Sequence, residues 1–440
     1  MPKIAFIGAG SYGFTRTLVK DLLTFPSMEG ATLALMDIDD ERLAFARRSC
    51  ERIIREGNYK AKVLATKDRR EALKGADAVL CTILAAGVQV WRHDIEIPKK
   101  FGVDINIGDT RGPSGIFRAL RTIPIMLDIC RDMEDVAPNA ILLNYTNPMA
   151  MLCGAMQRYT GVRTVGLCHS VQGCARGLLW HLGMLEQVKQ LQWKVAGINH
   201  MAWLLEISDS GRDLYPEIKQ VARAKLRECR KAGAQKHHDM VRLQCMLDFG
   251  YYITESSEHN AEYMPYWIKR QYPDLIGEFN IPLDEYPRRC INQIEHWKKR
   301  ASEIIANPKL EHKRTHEYGS YIMEAIETDV PFRIGGNVLN RGLITNLPRN
   351  ACVEVACMVD RNGVQPCHVG DLPEQCAALN RTNINVQLLT IEAAVTRRKE
   401  HIYHAAMLDP HTAAELSLDD IKAMCDELIA AHGKMLPKYT

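Results

Sequence analysis

The chain has 440 residues and a formal net charge of +3, with 46% hydrophobic and 25% charged residues. That length accommodates two or three domains, and that composition excludes disordered, collagen-like and low-complexity classes. Basic residues are dispersed without a basic tract, so neither nucleic acid nor an anionic membrane is expected as a partner.

Two stretches lack Asp, Glu, Lys and Arg. Residues 78–91 are too few to span a bilayer, and residues 136–157 are interrupted by Pro138, Asn139, Asn144, Asn147 and Pro148. Met1-Pro2-Lys3 runs directly into a short apolar segment that ends in glycines, which is not a signal peptide. The 14 cysteines include no C-x-x-C pair, and several sit in apolar contexts. Reduced, buried thiols in a cytoplasmic protein are expected.

Ile4-Ala5-Phe6-Ile7 is a continuous apolar run ending at Gly8, which predicts a strand buried on both faces. A helix is expected over 14–25, then a second strand over 31–36 that ends at Asp37. Further strands are predicted over 76–84, 140–144 and 164–168, with a helix over 116–133. Strands alternating with helices imply an α/β, doubly wound parallel sheet. Near residue 195 the texture changes. Charged helical stretches appear over 220–231 and 290–306, and short β-like runs at 343–344 and 352–357. The expectation is a first domain over 1–195 and a second, α+β domain over 196–440.

Gly8-Ala9-Gly10-Ser11-Tyr12-Gly13 is G-x-G-x-x-G between a predicted strand and a predicted helix. Gly8 allows the tight turn, Gly10 lets backbone approach a pyrophosphate, and Gly13 permits close helix packing. The helix N-terminus offers free N–H groups to phosphates, and Ser11 lies in the same loop. Asp37, ending the next strand, can accept from a ribose hydroxyl, with Asp39 as the alternative. An acid there favours NAD over NADP, because a 2′-phosphate would be repelled.

Cys168 and His169 end a predicted strand, and His200 follows another β-like segment. A thiolate and an imidazole, Cys168 and His200, suit a borderline divalent ion. Spacing alone leaves open a buried thiol and a satisfied core imidazole. Other polar clusters fall where loops are expected: 108–113 with Asp109 and Arg111, 144–148 with Asn147, and 255–263 with three carboxylates, His259 and Tyr263. His237-His238-Asp239 reads as surface, because adjacent histidines rarely chelate one ion together.

The chain resembles glycoside hydrolase family 4, the NAD- and divalent-metal-dependent glycosidases, over essentially its whole length. GAGS at 8–11, MDID at 36–39, NYTNPMAM at 144–151, GLCHSVQG at 166–173, AGINHMA at 196–202, TESSEH at 254–259 and YHAAMLDPHTAAEL at 403–416 carry the likeness. The CHS triplet at 168–170 is the form of the α-galactosidase branch. The resemblance implies an N-terminal Rossmann domain and a C-terminal domain like that of lactate and malate dehydrogenases. It also implies a reaction that departs from two-carboxylate glycoside hydrolysis. NAD oxidises C3 of the sugar, a base removes the C2 proton, the aglycone is eliminated, water adds, and the hydride returns.

In that reading Cys168 and His200 hold Mn2+, Asn147, Asp109 and Arg289 contact the sugar, and His169 is the leaving-group acid. The base stays open among His259, Tyr263 and Glu258. The implied substrate is an α-galactoside such as melibiose, with a homodimer or homotetramer as the assembly. Arg111 and Ser114 depart from the pattern. Arg111 either favours an acidic sugar such as a galacturonide or pairs with a nearby acid. An α-galacturonidase, another α-glycosidase of the family, and a lactate/malate-like dehydrogenase remain the alternatives.

Overall fold

Six strands of the first half lie parallel: β1 (Lys3–Ile7), β2 (Thr32–Met36), β3 (Lys62–Thr66), β4 (Ala78–Cys81), β5 (Ile141–Asn144) and β6 (Arg163–Gly166). Their spatial order is β3-β2-β1-β4-β5-β6, the doubly wound Rossmann order. Side chains alternate between two cores, as strand geometry requires. Ile4, Phe6, Leu33 and Leu35 face one, and Ala5, Ile7, Ala34 and Met36 face the other. These features belong to a computed structural model that describes residues 1–11, 13–87, 90–231, 233–307 and 312–440. Tyr12 of the glycine motif, and Val88 and Gln89 of the first charge-free stretch, lie outside the described residues.

The second half extends the same sheet with antiparallel strands: β7 (Leu191–Ile198), β8 (Met201–Asp209), β9 (Arg212–Asp213), β10 (Tyr252–Ile253), β11 (Phe332–Leu339), β12 (Cys352–Asp360) and β13 (Gly363–Pro366). The path continues from β6 through β11, β12, β7 and β8 to β10. Two narrow seams hold it together. β6 meets β11 at the pair Gly166–Asn337, and β12 meets β7 at Glu354–Gly197. Buried Asn337 Nδ2 donates to buried Glu354 Oε1 at 2.8 Å, so one side-chain bond links the seams. The boundary expected at residue 195 falls inside β7, and the sheet runs on through it.

Several expectations change. The strand expected over 76–84 is β4, shorter and fourth in order, because β3 was not foreseen. β3 is a half-buried edge strand, KVLAT, without the continuous apolar run that marks a central one. β7, β8 and β11 likewise include part-exposed positions and give a weaker signal. The helix expected over 290–306 is two helices, Glu285–Glu295 and Trp297–Ala306, separated at His296. At 343–344 only one bridge forms, Ile344 to Gly370. Among the described residues no helix is long and apolar enough to cross a membrane. All 14 cysteines are free thiols, buried except at Cys290 and Cys367.

Candidate active site

The glycine loop starts where β1 ends. Gly8 has φ +84°, and a Cβ there would sit 2.7 Å from the Thr82 carbonyl oxygen at the end of β4. Gly10 N–H donates to Asp37 Oδ2 at 2.7 Å, and a Cβ at Gly10 would collide with that same carboxylate. Asp37 thereby faces the loop. Asp39 instead caps the helix Asp40–Glu56, accepting from Arg42 N–H. Ser11 Oγ accepts from Phe14 N–H at 3.1 Å and ties the loop to the helix Phe14–Leu23. The packing reason given for Gly13 does not hold here: a Cβ there meets nothing within 4 Å.

Cys168 follows β6, and His200 sits in the turn from β7 to β8, so the seams bring both to one end of the sheet. Their side chains meet a third. One ligand atom each from Cys168, His200 and Glu255 lie within 4.8 Å of one another, and so do those of Asp109, His200 and His259. Cys168 Sγ is 3.9 Å from Glu255 Oε2, and His200 Nε2 is 3.7 Å from the same oxygen. His200 and Glu255 both have left-handed backbone, φ 61° and 69°, which is strained for residues of these types. Burial pushes the Cys168 thiol well up and lowers the His200 imidazole. Among the described residues the buried atoms His200 Nδ1 and Asn147 Oδ1 have no hydrogen-bond partner, and Asp109 Oδ1 has only the His259 ring nitrogen, 3.4 Å away. Soft sulfur, imidazole and carboxylate beside unsatisfied buried oxygens fit a borderline divalent cation and sugar hydroxyls.

His259 lies beside this cluster, its ring centre 4.6 Å from that of His200. Its Nε2 is 3.4 Å from Asp109 Oδ1, and its Nδ1 is 3.1 Å from Ser256 Oγ and 3.6 Å from Glu255 Oε1. Burial disfavours its charged form, but Asp109, Glu255 and Glu262 outweigh that and push it up to about 9. Asn147 Nδ2 donates to Asp109 Oδ2 at 3.0 Å. The other two base candidates are engaged elsewhere. Buried Tyr263 donates its hydroxyl to Thr110 Oγ1, and burial raises its pKa far above the ordinary tyrosine value. Glu258 accepts from Arg289 Nη2 at 2.9 Å, and Arg289 also pairs with Glu285.

His169 is exposed, and its Nε2 hydrogen-bonds Glu317 Oε2 at 2.5 Å. Glu317 Oε1 accepts from Tyr145 Oη at 2.6 Å. The Glu317 bond raises the His169 pKa against the effect of burial. Phe14, in the first turn after the glycine loop, packs edge-on against Tyr145 and His169. The dinucleotide loop and the CHS segment are therefore neighbours in space.

The whole chain aligns with known proteins. Residues 3–184 match the model for family 4 glycosyl hydrolases, and residues 195–412 match the C-terminal domain of that family. The chain belongs to glycosyl hydrolase family 4. It is 55% identical over its full length to all of an alpha-galactosidase from Bacillus subtilis (strain 168). It is 36% identical over 99% of its length to 89% of an alpha-galactosidase from Rhizobium meliloti (strain 1021). A 6-phospho-alpha-glucosidase from gut microorganisms, solved with NAD and Mn2+, shares the fold with TM-score 0.79, 23% identity and full coverage of both chains.

For this family 4 chain, sequence reasoning missed several residues of the site. Glu317 lies 148 residues from His169 in an ordinary-looking segment. Glu255 was seen only as one of three clustered carboxylates. Arg118 donates its Nε to the Asn147 carbonyl at 3.2 Å and its Nη1 to Tyr286 Oη at 3.2 Å. Glu262 is buried and accepts the backbone N–H groups of Asn106, Ile107 and Gly108, which fixes the loop carrying Asp109. Arg111 is buried in an ion pair with Asp409. Ser114 Oγ donates to the Asp94 carbonyl at 2.5 Å.

Proposed function

We propose that this chain is an α-galactosidase that hydrolyses terminal α-galactosides with bound NAD and a divalent cation such as Mn2+. Gly8, Gly10, Ser11, Gly13 and the following helix N-terminus hold the dinucleotide, and Asp37 takes the adenosine ribose. Cys168, His200 and Glu255 hold the cation. When bound, the nicotinamide supplies reversible hydride acceptance, and the cation supplies positive charge beside oxygens that become negative.

The chain's own residues then divide the proton work. His259, as the neutral imidazole that a neighbouring cation would favour, removes the C2 proton of the sugar at Nε2, with Ser256 Oγ accepting from Nδ1–H and Asp109 lying beside the ring. Asn147, held by Asp109 and Arg118, hydrogen-bonds the hydroxyls at C2 and C3. His169 gives a proton to the glycosidic oxygen, with Glu317 favouring the protonated imidazole that this requires. Elimination of the aglycone, addition of water at C1 with reprotonation of C2, and return of the hydride to C3 complete hydrolysis.

The observation that carries the reading is the meeting of Cys168, His200, Glu255, His259 and Asp109 at one end of the sheet. A neutral galactoside is preferred to a galacturonide because Arg111, the one departure that suggested an acid, spends its charge on Asp409 in the interior. The test uses nitrophenyl α-galactoside and α-galacturonide with enzyme stripped by chelator and dialysis. Galactoside hydrolysis should return only when NAD and Mn2+ are both restored, without net NADH. Full activity in the stripped enzyme, or faster galacturonide cleavage, overturns the reading.

A further inference from the structure

His181, His237 and His238 converge from two elements. His181 ends the helix His169–His181, and the other two immediately precede the helix Met240–Phe249. His181 Nε2 and His238 Nε2 are 3.2 Å apart. The His238 ring centre lies 4.3 Å from those of both His181 and His237, and one nitrogen from each of the three falls within 4.8 Å of the others. The adjacent pair looked like surface in the sequence, and the third imidazole comes from a distant segment.

The spacing has a chemical meaning. Imidazole nitrogens at 2.0–2.1 Å from a tetrahedral ion are about 3.3 Å from one another. The His181–His238 separation is that of two ligands on one ion. The adjacent carboxylate is already committed to the interior. Asp239 Oδ2 accepts from Tyr252 Oη at 2.6 Å, and Oδ1 accepts from Arg242 Nε and Ser257 Oγ. His237 Nδ1 accepts the Asp239 N–H at 3.1 Å, so this ring must release that bond to become the third ligand. Nitrogen-only donors favour Zn2+, Ni2+ and Cu2+ over the oxygen-seeking Mn2+, Mg2+ and Ca2+. The C-terminal end of a helix, where His181 sits, also favours a cation.

We propose that His181 and His238, completed by His237, form a second metal site that takes a borderline divalent cation, Zn2+ by preference. It lies at the opposite end of a helix whose first residue adjoins Cys168, about 18 Å away at 1.5 Å per residue. A bound ion there pins the segment before the helix Met240–Phe249 to the end of the helix His169–His181 without touching the catalytic groups.

The test uses untagged protein carrying NAD, with the catalytic cation site filled by Mn2+. Equilibrium dialysis against Zn2+, with both metals counted, should find one zinc per chain in addition to retained manganese. His238→Gln and the double variant His181→Asn/His238→Gln should lose that zinc while keeping their manganese and their unmodified rate of galactoside hydrolysis. Because His238 is exposed, its replacement leaves folding intact. Cobalt in place of zinc should give the visible bands of a tetrahedral nitrogen site in the unmodified chain and not in the variants. Zinc uptake equal in the variants and the unmodified chain, or no zinc beyond the manganese site, overturns the proposal.

Discussion

Glu317 sets the protonation of an imidazole, the one proposed as the leaving-group acid. Glu317 stabilises the charged form of His169, and Tyr145 fixes the other Glu317 oxygen. An acid catalyst loses activity as pH rises through its pKa. Glu317→Gln removes the raising influence, so the alkaline limb of the kcat/KM profile should move to lower pH while NAD affinity stays unchanged. A limb that stays in place would assign the leaving-group proton elsewhere. His259 carries a related signature in the cation-free protein. Its pKa is raised from 6.5 to about 9 in the folded state, so its stabilising contribution is fully present below 6.5 and is lost as pH rises through about 9. Thermal midpoints measured across that window should fall more in the unmodified chain than in His259→Gln. Equal slopes would mean that the Asp109 contact does not form.

The seams decide what the elements deliver. Gly166 ends β6 against β11, and a Cβ there would lie 2.5 Å from Met149 Sδ, 2.6 Å from Cys153 Sγ and 2.9 Å from Asn337 Cβ. Gly166→Ala should cost about 1–3 kcal/mol in denaturant unfolding, the usual range for overpacking, and should weaken cation binding by displacing Cys168. Full stability would show that the seam yields easily. The sequence made β1, β2 and β5 legible because they are nearly continuous apolar runs between turn signals. It made Cys168 and Asp37 legible because they end or follow such strands. β7 shows only as a β-like segment before His200, and β8 is hidden by its part-exposed positions. Glu255 and Glu317 were hidden because nothing local distinguishes a carboxylate that the fold will carry across the sheet. Cys168 and His200 are distant in sequence from Glu255, as His169 is from Glu317, and these meetings appear only when the chain has folded.

For the whole molecule the decisive signal is isotopic. Direct displacement at the anomeric carbon leaves C2–H intact, whereas elimination breaks it. Turnover of an α-galactoside in D2O should place deuterium at C2 of the released galactose, and deuterium placed at C3 of the substrate should remain there. His259→Ala should suppress the C2 exchange more than Tyr263→Phe or Glu258→Gln, because among these three side chains His259 alone sits in the ligand cluster. Product with only protium at C2, together with no isotope effect from C2-deuterated substrate, would exclude the elimination route.

The narrow junction between β6 and β11 also orders events in the life of each molecule. The glycine loop, Asp37 and strands β1 to β6 are complete once residue 166 has been synthesised. The segments that seat His200 beside Cys168 include β11 and β12, which begin at residues 332 and 352. In the proposed reading, a chain emerging from the ribosome has synthesised its nucleotide loop long before the strands that assemble the Cys168–His200 cluster. Capture of a cation by Cys168, His200 and Glu255 would therefore report that the later strands have docked on β6.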